Sequence, residues 1–208
     1  MDAPKRTLPG YASTGTDDER GGGIVSRPLL FLDVDGPLNP YAAKPQRRPD
    51  GYITLRVPRN SETAEEERAS LSRRRSLRVW LNPAHGPALL RLGYELCWAT
   101  TWMAEANRWI APALGLPELP FVDFGDALFR DRPDGVHWKT APLVDYADGR
   151  AFAWVDDEQS DRDQAYVTGH HRGPALLHHV NPRLGLREDD FRDLADFAGS
   201  SGNPQATG

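Results

Sequence analysis

Apolar residues in this chain fall into short unbroken runs separated by longer amphipathic stretches. Pro28–Asp33 is such a run, of the kind expected for a strand buried on both faces. Tyr94–Thr100, Leu119–Asp123, Ala151–Asp156 and Ala175–Val180 repeat it. Between them the spacing turns helical. Asn82-Pro83 reads as an N-cap followed by proline at the first helical position, opening a helix to about Leu92. Ala104–Leu114 sets Trp109, Ile110 and Ala113 at helical spacing and stops before Gly115. Thr140–Tyr146, Asp161–Thr168 and Asp189–Ala198 complete the set, the last with Phe191, Leu194, Ala195 and Ala198 on one face. Strands alternating with helices predict an α/β fold: a three-layer α/β/α, Rossmann-like domain around a central parallel sheet.

One stretch departs from the alternation. Tyr52–Val57 and Leu77–Leu81 both read as strands, joined by the charged, serine-rich run Arg59–Ser76. They predict a small β-hairpin flap, inserted over residues 41–78 of a domain spanning 28–198. Residues 1–27 and 199–208, polar and rich in glycine, read as disordered tails. The length of 208 residues suits one domain with such additions. No apolar run approaches the roughly 18 residues of a membrane span, and the N-terminal residues lack a signal-peptide core. The expectation is a cytoplasmic protein that does not engage a membrane. Cys97 is the only cysteine, which excludes an internal disulfide, and its apolar surroundings mark a structural thiol.

In an open parallel sheet, ligands bind beyond the carboxyl ends of the strands. Asp33 and Asp35 follow the first strand, and Thr100-Thr101 the second. Lys139 precedes a helix start, and Asp156-Asp157 end the fourth strand. Crowded carboxylates repel one another and call for a cation. Hard oxygen ligands favour Mg²⁺, which takes one or two carboxylates and keeps several waters. Carboxylates and a metal, with a hydroxyl and an ammonium nearby, suit a phosphoryl group. Its transfer is catalysed largely by positioning and charge neutralisation.

The run Asp33-Val34-Asp35-Gly36-Pro37-Leu38-Asn39 resembles the first motif of the haloacid dehalogenase superfamily. Thr100, Lys139 and Asp156-Asp157 follow in the order of its other three. Val79-Trp80-Leu81-Asn82-Pro83, Trp98-Ala99-Thr100-Thr101-Trp102 and Trp154-Val155-Asp156-Asp157-Glu158 narrow the resemblance to the haloacid-dehalogenase-like domain of the Swiss Army Knife RNA repair group. The resemblance implies a phosphohydrolase with Asp33 as nucleophile, forming an aspartyl-phosphate, and Asp35 as general acid and base. Mg²⁺ would bind the Asp33 carboxylate, the Asp35 main-chain carbonyl and Asp157. Thr100, in preference to Thr101, and Lys139 would hold the phosphoryl group, with Asp156 steadying Lys139. The acid two residues after the nucleophile points to phosphatases.

Other features refine the picture without settling it. His170-His171 and His178-His179 match no familiar zinc spacing. His85 and His137 read as surface or rim positions, His137 close enough to Lys139 to touch substrate. Trp98, Trp109 and Trp154 read as core, whereas Trp102 and Trp138 flank the predicted site, where an indole can stack on a base. Asn39, Thr101 and Trp102 join His137 as candidate substrate contacts. Between Tyr41 and Arg78 there are ten Lys or Arg against five Asp or Glu, in a chain of net charge −5. Arg47, Arg48, Arg56, Arg59 and Arg73-Arg74-Arg75 would make the flap an electrostatic guide for a polyanion. The substrate implied is a phosphorylated small molecule, a nucleotide or a nucleic-acid end. The competing reading is a catalytically silent module of the same fold that holds such ends without turnover.

Overall fold

The structure, a computed structural model, describes residues 26–44, 47–58 and 76–201. Four strands, β1 (Leu29–Leu32), β4 (Glu95–Trp98), β5 (Phe152–Asp156) and β6 (Ala175–His179), form a sheet in the order β4-β1-β5-β6. All three pairings are parallel. A separate antiparallel hairpin joins β2 (Ile53–Pro58) to β3 (Ser76–Leu81).

The unbroken apolar runs form strands because both of their faces are covered. Every residue of β1 is fully buried. Leu30 and Leu32 pack with Leu96, Trp98, Ala153 and Val155 on one face of the sheet. Leu29 and Phe31 pack with Cys97, Phe152 and Trp154 on the other. Helices α1 (His85–Arg91), α2 (Glu105–Leu114) and α5 (Glu188–Ser201) cover the first face through Leu89, Ile110, Leu114 and Leu194. Helices α3 (Thr140–Ala147) and α4 (Asp161–His170) cover the second through Leu143, Val144, Ala147 and Val167. The hairpin adds Val57, Val79 and Leu81 to the first core. The domain is therefore an α/β fold with a four-stranded parallel sheet between helical layers and a separate hairpin, as the pattern predicts.

Several boundaries differ from expectation. Leu119–Asp123 is not a strand but a single bridge from Phe121 to Trp98 on the β4 edge. The Asn107 side chain takes both main-chain groups of Leu119, donating to its carbonyl at 2.7 Å and accepting from its N–H at 3.0 Å. Pro117 and Pro120 have no N–H to offer a ladder. Helix α1 starts at His85, not at Pro83. Asn82 spends its Oδ1 on the Ala84 N–H at 3.0 Å, closing a turn ahead of the helix. The last helix continues to Ser201, past residue 198. Apart from residues 26, 27 and 199–201, the expected tails lie outside the described residues, as does most of the hairpin tip, residues 59–75. Among the described residues no helix is long and apolar enough to cross a membrane.

His85 also departs from its expected surface position. It is buried between the rings of Tyr52 and Phe191, at centroid distances of 5.6 and 5.4 Å. Its Nδ1 has no hydrogen-bond partner. Burial pulls its pKa down to about 4, with Asp190 opposing weakly. In the unfolded chain the imidazole titrates near 6.5, so between pH 6.5 and 4 only the unfolded state takes up the proton. The stability held above pH 6.5 is therefore lost as the pH falls toward 4. His85→Phe is expected to flatten that part of the stability–pH curve, measured by urea unfolding at half-unit pH steps. A second prediction concerns Gly86, where α1 crosses α2: an added Cβ would collide with the Leu114 carbonyl oxygen. Gly86→Ala should cost about 1–3 kcal/mol by overpacking, read as a lower urea midpoint.

Candidate active site

Sheet register brings the acids together. Leu32 pairs with Trp98 on one side and Val155 on the other. Asp33 and Thr100, just beyond the ends of β1 and β4, and Asp156, the last residue of β5, therefore meet on one rim. Asp33 is buried; its Oδ1 accepts the Val34 N–H at 2.7 Å and its Oδ2 lies 3.0 Å from the Lys139 ammonium. Lys139, only 1% exposed, also reaches Asp156 Oδ2 at 2.7 Å. That same oxygen accepts the Trp154 indole N–H at 3.0 Å, and Asp156 Oδ1 accepts the Glu158 N–H at 3.0 Å. Asp157 is half-buried and accepts the Tyr41 hydroxyl at 2.9 Å.

Burial dominates the electrostatics. It pushes the Asp33 carboxyl up to about 7, against the pull of Lys139 and Thr100 and with help from Asp156. For Lys139, burial alone would lower the pKa, but Asp33 and Asp156 outweigh it and hold the amine above its usual value. The Asp157 carboxyl is also raised, first by burial, then by Asp156 and Glu158, with the Tyr41 hydrogen bond opposing. Asp33, Asp156 and Asp157 each offer a carboxylate oxygen within 4.8 Å of the other two, a cluster that could hold a metal ion. Three acids against one ammonium leave the cluster formally at −2, a deficit a divalent cation would fill.

The turn after Asp33 is built around Gly36, whose φ of +93° suits glycine. A side chain there would run into Asp157, so this glycine also lets the two loops touch. The Asp35 carboxylate is held on both sides: Oδ1 accepts Asn39 Nδ2 at 2.6 Å and Oδ2 accepts the Trp102 indole N–H at 2.8 Å. Asn39 in turn accepts the Trp80 main-chain N–H at 3.0 Å, tying the turn to β3. Thr100 is buried beside Asp33, whereas Thr101 is exposed and lines a cavity next to Asp35. The structure thus separates two hydroxyls that their spacing alone cannot.

His137 faces Glu158 at 3.2 Å and accepts the Lys139 main-chain N–H on Nδ1, which places its ring proton on Nε2. It steadies the Lys139 turn. Trp138 packs on Phe124 and Phe129 and lies 5.4 Å from the Lys139 ammonium. Three further histidines bond elsewhere: His170 with the Tyr166 carbonyl, His171 with the Arg150 carbonyl, His178 with Asp190. Cys97 is buried, and burial pushes its thiol up to about 11, which keeps it unreactive. Arg47 and Arg48, ahead of the hairpin, are exposed and Arg56, on β2, is half-buried, while Arg59, Arg73, Arg74 and Arg75 lie outside the described residues.

Sequence reasoning missed Tyr41, the polar use of Trp154, and Asp163. Asp163 is fully buried at the start of α4. It accepts the Ser160 N–H and hydroxyl, the Thr140 hydroxyl and the His137 N–H, at 2.6–2.8 Å. The Ser160–Asp163 pair was legible as a capping box; its reach across to α3 was not. Thr140, the first residue of α3, gives its hydroxyl proton to Asp163.

Fold and site together define a parallel α/β domain with an acidic, potential metal-binding cluster at the carboxyl edge of its sheet. No family model, no curated protein and no solved structure matches the chain. Asp163 gives this subsection its prediction. Burial would raise its pKa, but the bonds from Ser160, Thr140 and His137 outweigh that and lower it. Its stabilisation is complete above the ordinary carboxyl value of 3.8 and is lost as the pH falls through the lowered folded value. Asp163→Ala should cost about 2–4 kcal/mol at neutral pH by orphaning these donors, measured by chemical unfolding.

Proposed function

We propose that the chain is a Mg²⁺-dependent phosphomonoester hydrolase of the haloacid dehalogenase type. The observation that carries this reading is the Asp33 carboxylate at the end of β1, flanked by Lys139, Thr100 and the Asp157 carboxylate. A second carboxylate, Asp35, stands two residues on. The residues present fit the metal. All the donors are hard oxygens, and both Asp156 oxygens are already engaged by Lys139, Trp154 and Glu158. In this reading Asp33 and Asp157 supply two carboxylates, the number Mg²⁺ takes, while Asp156 stays with Lys139, Trp154 and Glu158. The Asp35 main-chain carbonyl is the third donor in this reading. When bound, Mg²⁺ supplies positive charge that favours ionised Asp33 and neutralises the phosphoryl oxygens.

The chain's own groups do the rest. Lys139 and Thr100 orient the phosphoryl group. An Asp33 oxygen attacks phosphorus, the P–O ester bond breaks, and Asp35 gives its proton to the leaving oxygen. Asp35 then takes a proton from water as that water attacks the aspartyl-phosphate. Inorganic phosphate leaves, and both aspartates return to their starting state. Asp156 keeps the ammonium of Lys139 in place throughout. The basic residues Arg47 and Arg48, ahead of the hairpin, and Arg56, on β2, favour a nucleotide or nucleic-acid end as substrate.

The test is hydrolysis of 4-nitrophenyl phosphate with Mg²⁺ and with chelator, alongside a panel of nucleotides and 3′- and 5′-phosphorylated oligonucleotides. Activity should require Mg²⁺ and fall at least a thousandfold in Asp33→Asn. Asp157→Asn should raise the Mg²⁺ concentration for half-maximal activity at least tenfold. Asp33→Asn retaining full activity would exclude the proposed nucleophile. Wild-type inactivity across the whole panel, with phosphate-end binding intact, would favour the silent binding module.

A further inference from the structure

Beside Asp35 lies a cavity of about 350 Å³ that the chemistry above leaves unused. The hairpin supplies one wall through Val57, Pro58 and Leu77, and Thr101 and Trp102 supply another. Its charged lining residues among those described are Asp35 and Glu105, both acids. One Glu105 oxygen already accepts the Trp109 indole N–H at 2.9 Å. Apolar walls and an indole suit a planar ring. An ionised Glu105 carboxylate can only accept hydrogen bonds, and it disfavours a second anionic group beside the ring.

Resting on the hydrolase reading of the same site, we infer that this cavity receives the leaving group. It selects phosphomonoesters whose leaving group presents an uncharged ring next to the scissile bond, such as a nucleoside alone or at the end of an oligonucleotide, over esters that present a carboxylate there. Trp102 is the specificity-determining residue. It lines the cavity, and its indole N–H holds Oδ2 of Asp35, another lining residue, at 2.8 Å. One side chain therefore packs on the leaving group and positions the carboxylate that protonates it. The hairpin shares the task. Asn39, on the other Asp35 oxygen, is bound to the Trp80 N–H of β3, the strand that also carries Leu77.

The experiment uses the full chain with Mg²⁺. Steady-state kinetics compare a nucleoside monophosphate and 4-nitrophenyl phosphate with 3-phosphoglycerate. Calorimetry on Asp33→Asn measures binding of the nucleoside monophosphate and of inorganic phosphate without turnover. Ring esters should exceed 3-phosphoglycerate at least tenfold in kcat/KM. Trp102→Ala should raise KM for ring esters about tenfold and abolish most of that preference. Trp102→Phe keeps a ring but loses the N–H, so it should restore KM and leave kcat depressed. In the Asp33→Asn background, Trp102→Ala should weaken nucleotide binding about tenfold and leave inorganic phosphate unchanged. Equal losses for ring and non-ring esters, or nucleotide binding indifferent to Trp102, would overturn the assignment. Trp102-dependent nucleotide binding without turnover of any ester would uphold the cavity and sink the hydrolase.

Discussion

The buried ammonium of Lys139 is what permits three aspartates to crowd the carboxyl edge of the sheet. Each carboxylate taken from water is penalised, and like charges side by side add to that penalty. Lys139 offsets both through contacts of 3.0 Å to Asp33 and 2.7 Å to Asp156. Its own burial would strip its proton without those two acids. The three charges are therefore interdependent, and their placement follows from backbone geometry. The β1–β5 register puts Asp33 next to Asp156, and the start of α3 drops Lys139 between them.

Around this cluster each loop is held by a partner distant in sequence. Asp163 ties the Lys139 turn to the start of α4, and Tyr41 ties the loop after the Gly36 turn to Asp157. Asn39 joins that turn to the hairpin. The hairpin is then a wall of the site as well as a cover for the core, since Val57 both packs in the apolar cluster and borders the cavity at Asp35. A shift of the hairpin would move Asn39 and, with it, one of the two donors on Asp35.

The layers, the sheet and the chemical rim were legible because each depends on local pattern. Asp33 follows an unbroken apolar run, and such a run buried on both faces must end where the sheet ends. Asp156 and Thr100 follow by the same logic, and Lys139 by its place before a helix. What escaped depends on long-range contact. Tyr41 meets an acid 116 positions away, which no local window reveals. Leu119–Asp123 has strand composition but loses its ladder to one side-chain amide, Asn107. His85 looks like a surface residue, yet it is enclosed by two aromatic rings from β2's approach and α5.

Stability does not account for the charged cluster. Replacing a buried ion pair by apolar residues of similar volume is often neutral or stabilising. The ends of β1 and β5 sit on a core already rich in Leu, Val and Trp, so such a replacement would extend what is there. The chain instead keeps an amine and three acids at this spot, holds an Asp33 carboxyl that burial pushes up to about 7, and spends a tryptophan N–H on each of Asp35 and Asp156. Groups held this way are poised to change partners when a cation or an anion arrives. An arrangement that burdens folding and yet is braced by Asp163, Tyr41, Asn39 and two indoles is what the proposed chemistry at the rim requires, because such braces fix the orientation of each charged group ahead of a ligand.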